Sequence, residues 1–199
     1  MGSGSGFFFR LEDRDAISVL RLCSDDGTNC LTKSCILALR DVMQSLAAKP
    51  RPLIITGNEK FFSAGADLRE VAALDGISAY AFSQMGQALM RSVEQYPAPV
   101  YAAISGYCMG GGFDLALACH RRFAATSAIF GHRGAALGLI TGWGGTQRLP
   151  RLVGKGIALG MFVAAEKITA QQALAMGLVN AVVEDPVDEA FRRIACQPL

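Results

Sequence analysis

The sequence predicts one α/β domain in which strands and helices alternate, and three observations lead to that prediction. Short apolar or β-branched segments at residues 16–22, 52–56 and 100–104 are typical of buried strands. The segments between them carry apolar residues at helical spacing, and Gly or Pro marks their ends. The chain has 199 residues and is 51% hydrophobic, which suits a single domain with a large core.

The remaining elements follow the same alternation along the chain. We expect helices at residues 31–48, 73–95, 111–119, 144–152, 157–165, 169–176 and 188–195, and further strands at 122–125, 129–131 and 178–183. Thr169 and Gln172 have the spacing of a capping box, which places a helix start there. Because the connections between strands and helices are short, the pattern predicts crossover units and buried parallel strands.

Composition excludes several classes of function. The formal net charge is only +2, so no nucleic-acid partner is expected. Every long apolar stretch is interrupted, so no membrane span is expected. The six cysteines form no Cys-x-x-Cys pair, and no His pair has zinc spacing, so we expect reduced thiols and no metal site. Reduced thiols indicate a cytoplasmic or organelle-matrix compartment, of which we expect the cytoplasmic one. Residues 1–6 are interpreted as a flexible leader.

Two glycine-rich turns carry the chemistry of the sequence. Residues 61–68 and 106–115 each lie between a predicted strand and a predicted helix. Their small residues let a ligand approach the backbone, and a helix N-terminus favours negative charge. Two such turns facing each other would supply a pair of amide donors for an oxyanion. A phosphate cradle is the competing interpretation, although no Gly-Lys-Ser/Thr follows either turn.

Taken together, four stretches carry a more specific resemblance. They are residues 62–68, 104–116, 138–154 and 168–180, which include Ser-Ala-Gly-Ala-Asp-Leu, a triple glycine followed by Phe-Asp, and Gly-Gly-Thr-Gln-Arg-Leu-Pro-Arg. In this order the chain resembles the crotonase (enoyl-CoA hydratase/isomerase) superfamily over residues 17–185.

The resemblance implies a spiral of ββα units with an acyl-CoA or acyl-carrier-protein thioester as ligand. Residues 7–185 would form the spiral core, and 186–199 a shortened version of the usual C-terminal helical region. Coenzyme A would be part of the substrate, so no separate cofactor is expected. The family usually assembles as trimers or dimers of trimers, so a homotrimer or hexamer is expected.

The resemblance also assigns residues to a site. The backbone amides of Ala66 and Gly111 would bind the thioester oxygen, and the backbone at Ser63, Ala64 and Ala66 would hold the adenine. The remaining substrate-binding positions that it implies are Asp67, Leu68, Tyr107, Gly110, Gly134 and Trp143. Asp67 is also interpreted as a helix cap, and Trp143 either lines the acyl pocket or packs in the core.

Two positions depart from the pattern of the hydratases, which use two glutamates as acid and base. Asp114 stands at the first position, one methylene shorter, and Gly134 stands at the second. His132 would point the same way as residue 134 if this segment were extended, and is a candidate acid or base. The alternative is a histidine without a catalytic role.

Three functions follow from these residues. The first is enolate chemistry of the hydratase or isomerase type, with Asp114 as acid and base. The second needs only the oxyanion hole, as in decarboxylation or thioester hydrolysis, and the missing glutamate favours it. The third is a non-catalytic acyl-CoA-binding pseudoenzyme.

Overall fold

A computed structural model describes residues 8–196 of the chain. The predicted leader at residues 1–6, and the last three residues of the predicted C-terminal segment, lie outside this part. The described part contains twelve strands and eight α-helices. The strands are β1 Phe9–Arg14, β2 Ile17–Leu22, β3 Cys30–Leu31, β4 Leu53–Thr56, β5 Phe61–Ser63, β6 Gly65–Ala66, β7 Val100–Ile104, β8 Tyr107–Met109, β9 Arg121–Ala125, β10 Ile129–Gly131, β11 Ile168–Thr169 and β12 Ala181–Val183. The helices are α1 Lys33–Ala47, α2 Leu68–Ala72, α3 Gly76–Glu94, α4 Gly110–Ala118, α5 Gly145–Val153, α6 Lys155–Ala164, α7 Ala170–Ala175 and α8 Pro186–Ala195.

The strands form three sheets that the chain visits in turn. A six-stranded sheet has the order β1-β2-β4-β7-β9-β12, and all of its pairs are parallel except β1 with β2. A four-stranded sheet has the order β11-β10-β8-β5, and β3 pairs with β6 in a third. The pairs β4 and β5, β7 and β8, and β9 and β10 each add one strand to the large sheet and one to the four-stranded sheet before a helix. This is the α/β spiral of ββα units that the resemblance implies.

Strands β4 and β7 of the large sheet are buried on both faces. Their alternate side chains point in opposite directions and enter two different cores. Leu53, Ile55 and Ala102 pack into the main core, whereas Ile54 and Tyr101 face the other way. That second face is covered by α8, whose Ala190 is fully buried there. Helix α8, which belongs to the predicted C-terminal segment, therefore shares its core with the sheet.

Local hydrogen bonds explain where the predicted elements had wrong bounds. The helix predicted over residues 73–95 is α3, which starts later, at Gly76, because Asp75 accepts from the Ser78 N–H in a capping box. Helix α8 starts at Pro186, before the predicted residue 188, because Asp185 caps it. The strand predicted from residue 178 starts at Ala181, because the Leu178 N–H bonds back to the Ala173 carbonyl.

Several short elements were not predicted. Strands β5, β6 and β8 run through the two glycine-rich turns, and β1 carries mostly exposed residues that hide its alternation. After β10 the chain does not stay extended: Arg133 has φ −91° and ψ 14°, and a 3₁₀ turn covers Gly134–Leu137. The expectation that residues 132 and 134 share one side of an extended segment is therefore wrong.

All six cysteines lie in the described part and are free thiols. No helix within residues 8–196 is both long and apolar enough to cross a membrane.

Candidate active site

The two glycine-rich turns meet backbone to backbone. Gly65 has φ +94°, a conformation that favours glycine, and a methyl group there would lie 2.6 Å from the Met109 carbonyl oxygen and 2.9 Å from the Gly111 nitrogen. Only a residue without a side chain allows this approach. The two turns therefore bring Ala66 and Gly111 to the wall of one cavity.

Helix α4 begins at this meeting point without a side-chain cap. Its N-cap residue is Met109, whose side chain accepts no hydrogen bond, and the first turn is Gly110, Gly111 and Gly112. The first N–H groups of a helix have no partner within the helix. These groups and the helix dipole therefore favour negative charge in front of Gly111.

The cavity has a volume of about 560 Å³, a size typical of small-molecule sites. Its walls are mostly apolar and come from α2, α3, the start of α4 and residues 132–143. The ring centroids of Phe82 and Trp143 lie 5.3 Å apart at this wall. Trp143 is 4% exposed and packs so closely on Gly86 and Gly111 that a methyl group at either position would overlap its ring. It therefore both lines the cavity and packs in the core.

Asp114 is the carboxylate of this cavity and is almost completely buried. It lies one turn after Gly111 in α4 and is 1% exposed. Its Oδ2 accepts a hydrogen bond from the Thr141 hydroxyl, while its Oδ1 has no hydrogen-bond partner. Burial raises the pKa of Asp114 to about 7, although the Thr141 hydroxyl and the positive charge of Arg148 both lower it. This carboxyl can therefore hold or release a proton near neutral pH.

His132 lies beside that carboxyl. Its Nε2 is 3.4 Å from Asp114 Oδ1 and, like that oxygen, is buried without a hydrogen-bond partner. The imidazole lies between two aromatic rings, with its centroid 4.7 Å from Phe113 and 5.3 Å from Phe162. Burial lowers the pKa of His132 to about 4, so the ring is neutral at pH 7.

Gly145 allows these two side chains to meet. A methyl group at this position would lie 2.2 Å from Asp114 Oδ1 and 2.8 Å from His132 Nε2. Gly145 is the first residue of α5, which also starts without a side-chain cap. The backbone N–H of Gly145 lowers the pKa of Asp114, as an electropositive helix start should.

Backbone atoms occupy the space beside Gly134. A methyl group at Gly134 would lie 2.7 Å from the carbonyl oxygen of Leu139, and the Leu139 N–H bonds to the Gly134 carbonyl at 2.8 Å. The backbone of Leu139 therefore fills the space that a side chain at residue 134 would need. The cavity offers one carboxylate, Asp114, among the residues that line it.

The comparisons with known proteins agree with this architecture. Residues 12–197 match the family model described as enoyl-CoA hydratase/isomerase. The chain belongs to this family of enzymes.

Two similar relatives are named as hydratases of enoyl-CoA thioesters. The chain is 40% identical over 177 residues to crotonyl-CoA hydratase of Syntrophomonas wolfei and 37% identical over 177 residues to short-chain-enoyl-CoA hydratase of Clostridium acetobutylicum. Both alignments cover 87% of this chain and 68% of the relative. The crystal structure of enoyl-CoA hydratase from Bacillus anthracis superposes with a TM-score of 0.89 at 34% identity, covering 94% of this chain and 75% of that one.

Most of the predicted site residues of this family member line the cavity together. They are Ala64, Ala66, Leu68, Gly110, Gly111, Asp114, His132, Gly134 and Trp143. Three predicted positions, Ser63, Asp67 and Tyr107, do not line the cavity. Their roles in substrate binding stay predictions.

Each of those three side chains has a local structural role. Ser63 is fully buried and its hydroxyl donates to the Asn29 carbonyl at 2.7 Å. Asp67 caps α2 by accepting from the Arg69 N–H at 2.8 Å, which confirms its interpretation as a cap, and its hydrogen bonds with Arg69 hold the pKa of Asp67 low. Tyr107 is exposed, and its ring centroid lies 5.5 Å from that of Phe61.

Sequence reasoning missed three contributors to the site. Thr141 binds Asp114, Phe162 packs on His132, and Gly145 makes room for both polar groups. Gly145 follows Gly144 directly before a helix, so the argument applied to Gly111 would also have found it. Nothing in the sequence indicates that Thr141 or Phe162 reaches the cavity.

Proposed function

We propose that this enzyme adds water across the double bond of a 2-enoyl thioester of coenzyme A, or of an acyl carrier protein. The observation that supports it most is the close approach of Gly65 to Gly111 beside a cavity whose lining includes both proposed amide donors, Ala66 and Gly111. Two donors aimed at a thioester oxygen stabilise the enolate that forms when a nucleophile adds at Cβ. The names of the relatives agree with this substrate class.

Asp114 is the proposed acid and base of this reaction. It lies one helical turn beyond Gly111 and lines the same cavity, so its carboxyl would face the carbon atoms conjugated to a carbonyl held at Gly111. A pKa near the working pH is what general acid–base catalysis requires, and burial raises the pKa of Asp114 to about 7. One carboxyl replaces the pair of glutamates that the family pattern contains.

Oxyanion-hole chemistry without hydration is the second candidate. The Leu139 carbonyl fills the space beside Gly134, so the second acid–base position has no side chain. Decarboxylation or hydrolysis of an acyl thioester needs the two amide donors more than it needs a second carboxylate. This candidate predicts activity that survives the loss of the Asp114 carboxyl.

The experiment compares the wild type, Asp114→Asn and Asp41→Asn on three thioesters: crotonyl-CoA, a malonyl-type acyl-CoA and a saturated acyl-CoA. We expect hydration of crotonyl-CoA by the wild type, followed as loss of the enoyl-thioester absorbance. Asp114→Asn should lower kcat by about 100- to 10,000-fold. Asp41, whose side chain is 70% exposed, is the matched control and should leave kcat unchanged.

Other outcomes would overturn the proposal. Consumption of only the malonyl-type or saturated thioester, at a rate that Asp114→Asn does not lower, assigns the chain to the second candidate. Binding of thioesters with no turnover on any of them leaves non-catalytic binding.

Exposed apolar side chains and free cysteines are the observations that bear on the assembly and the location. Exposed apolar side chains at Ile77, Ile140, Leu159 and Val163 support burial against further copies of the chain, so we propose a homotrimer or hexamer. Light scattering coupled to size-exclusion chromatography measures this directly. A cytoplasmic location stays a prediction from the free cysteines.

A further inference from the structure

The site contains a buried polar pair, Asp114 and His132, and the proposed hydration assigns a role only to Asp114. Asp114 Oδ1 and His132 Nε2 are 3.4 Å apart, and neither atom has a hydrogen-bond partner. Buried polar atoms are nearly always paired, so two orphans facing each other need an explanation. A proton moving between them would satisfy both, because a carboxylic acid donates to a neutral imidazole and an imidazolium donates to a carboxylate.

The surroundings leave this pair isolated from other titrating groups. Across Asp114 stands the guanidinium of Arg148 from α5, itself bound to Glu94 at 2.7 Å. Burial raises the pKa of Cys108 on β8, so that thiol stays neutral.

The other neighbours do not titrate. Helix α6 contributes the ring of Phe162, α4 the ring of Phe113, and the cavity loop the hydroxyl of Thr141. Arg133, next along the chain, is exposed.

We infer that His132 acts through Asp114 as a proton store, taking up and returning one proton while Asp114 alone touches the substrate. The inference rests on the proposed hydration. In the starting state Asp114 is protonated and His132 is neutral. As the water oxygen bonds to Cβ and the π bond opens to the enolate, the O–H bond of water breaks and its proton goes to Asp114.

The proton already on Asp114 passes to His132 Nε2 in the same step. Asp114 then protonates Cα of the enolate, and His132 returns its proton to Asp114. One water is added, the pair is restored, and no other reactant is needed. His132 is therefore a positioning residue: it acts through Asp114 by holding one proton during the reaction. With this help, one carboxyl is sufficient where the family pattern has two.

This arrangement works only while the pair carries one proton. With the pKa of His132 at about 4 and that of Asp114 at about 7, the pair holds one proton between these values, none above and two below. The turnover number of the wild type should therefore fall as the pH rises through about 7. Without His132, Asp114 must begin as the carboxylate, so activity should rise with pH instead.

The test compares the pH dependence of kcat on crotonyl-CoA for the wild type, His132→Gln and His120→Gln. His120 is the matched control because it is the only other histidine in the chain and is exposed. We expect His132→Gln to lower kcat about 10- to 100-fold, to leave KM unchanged, and to reverse the sign of the pH slope. His120→Gln should keep the profile of the wild type.

A slope of the same sign in wild type and His132→Gln would overturn the inference, because a purely structural histidine does not change it. If His132→Gln fails to fold, ¹⁵N-histidine NMR of the intact wild type decides, with His120→Gln assigning the signals. A change in the His132 ¹⁵N chemical shift as Asp114 titrates near pH 7 supports the inference. A chemical shift that does not change in this pH range overturns it. Absence of hydration by the wild type at every pH would instead refute the proposed function.

Discussion

Two buried clusters of ionisable side chains in this protein differ in how their polar atoms are paired. Arg122, near the start of β9, is 4% exposed and has no carboxylate partner. Its side chain nevertheless donates to the carbonyls of Leu178 at 2.8 Å and Cys119 at 2.7 Å, which ties α4 to the segment before β12. The pair of Asp114 and His132 is buried to the same degree but leaves two polar atoms without partners.

The two clusters therefore differ in role: Arg122 stabilises the fold, whereas Asp114 and His132 belong to the candidate active site. A buried polar group with all its partners stabilises one arrangement of the backbone, whereas an unsatisfied one costs free energy that folding does not recover. Such costs persist where function requires them. Burial alone therefore does not identify an active site in this fold; at Asp114 and His132 it is combined with two unpartnered atoms that face each other at the wall of the cavity.

The largest expected effect comes from exchanging one residue in each cluster. Arg122→Met should lower the free energy of unfolding by about 3 kcal/mol, because two buried carbonyls lose their donors. Asp114→Asn should raise it at pH 8. The folded carboxyl keeps its proton up to about pH 7, whereas the unfolded one releases it near 3.8, so the wild type loses stability over that range.

Denaturant titration at pH 8 and at pH 4 measures both effects. The gain of Asp114→Asn should approach, as an upper bound, about 4 kcal/mol at pH 8 and vanish towards pH 4. Equal losses of stability in the two variants at pH 8 would contradict the comparison.

A smaller effect is expected at Gly134. Gly134→Ala should cost about 1–2 kcal/mol, because its methyl group would meet the Leu139 carbonyl oxygen at 2.7 Å. Gly160→Ala is the matched control: no atom lies within 4 Å of its added methyl group in α6, and it should stabilise by about 0.5–1 kcal/mol. Thermal unfolding of both variants checks this. A stabilising Gly134→Ala would show that the 3₁₀ turn has room for a side chain after all.

The smallest effect concerns the hydrogen bond that Asp114 accepts from the Thr141 hydroxyl. Thr141→Val removes the hydroxyl that lowers the pKa of Asp114, so that pKa should rise further. The alkaline fall of kcat should then move to higher pH by a fraction of a unit, while the maximal rate changes less than tenfold. The pH–rate profile on crotonyl-CoA measures the shift, and movement to lower pH would contradict it.

Much of the fold could be predicted because its signals are local. Strand β7 and strand β10 have the predicted bounds, and Thr169 caps α7 as its spacing indicates. The short strands β5, β6 and β8 were not predicted because two or three residues give no periodicity. Pairing with strands that are distant in the sequence holds them in place.

The site was predictable in part for the same reason. Ala66, Gly111 and Asp114 belong to contiguous motifs, so the sequence points to them. The contact of His132 with Asp114 joins residues 18 positions apart through the turn at Gly134 and the start of α5. It depends on tertiary packing, and the extended backbone assumed for this segment was wrong. Local patterns therefore identify these residues but not their arrangement.

The position of Trp143 has a practical consequence. It is the only tryptophan in the chain, it is 4% exposed, and it stands between Gly111 and Phe82 at the cavity wall. Any thioester that enters must alter the polarity around this one indole, so the protein's intrinsic fluorescence reports occupancy of the cavity without a label. Every variant discussed above leaves Trp143 in place, and each therefore carries its own optical probe of binding.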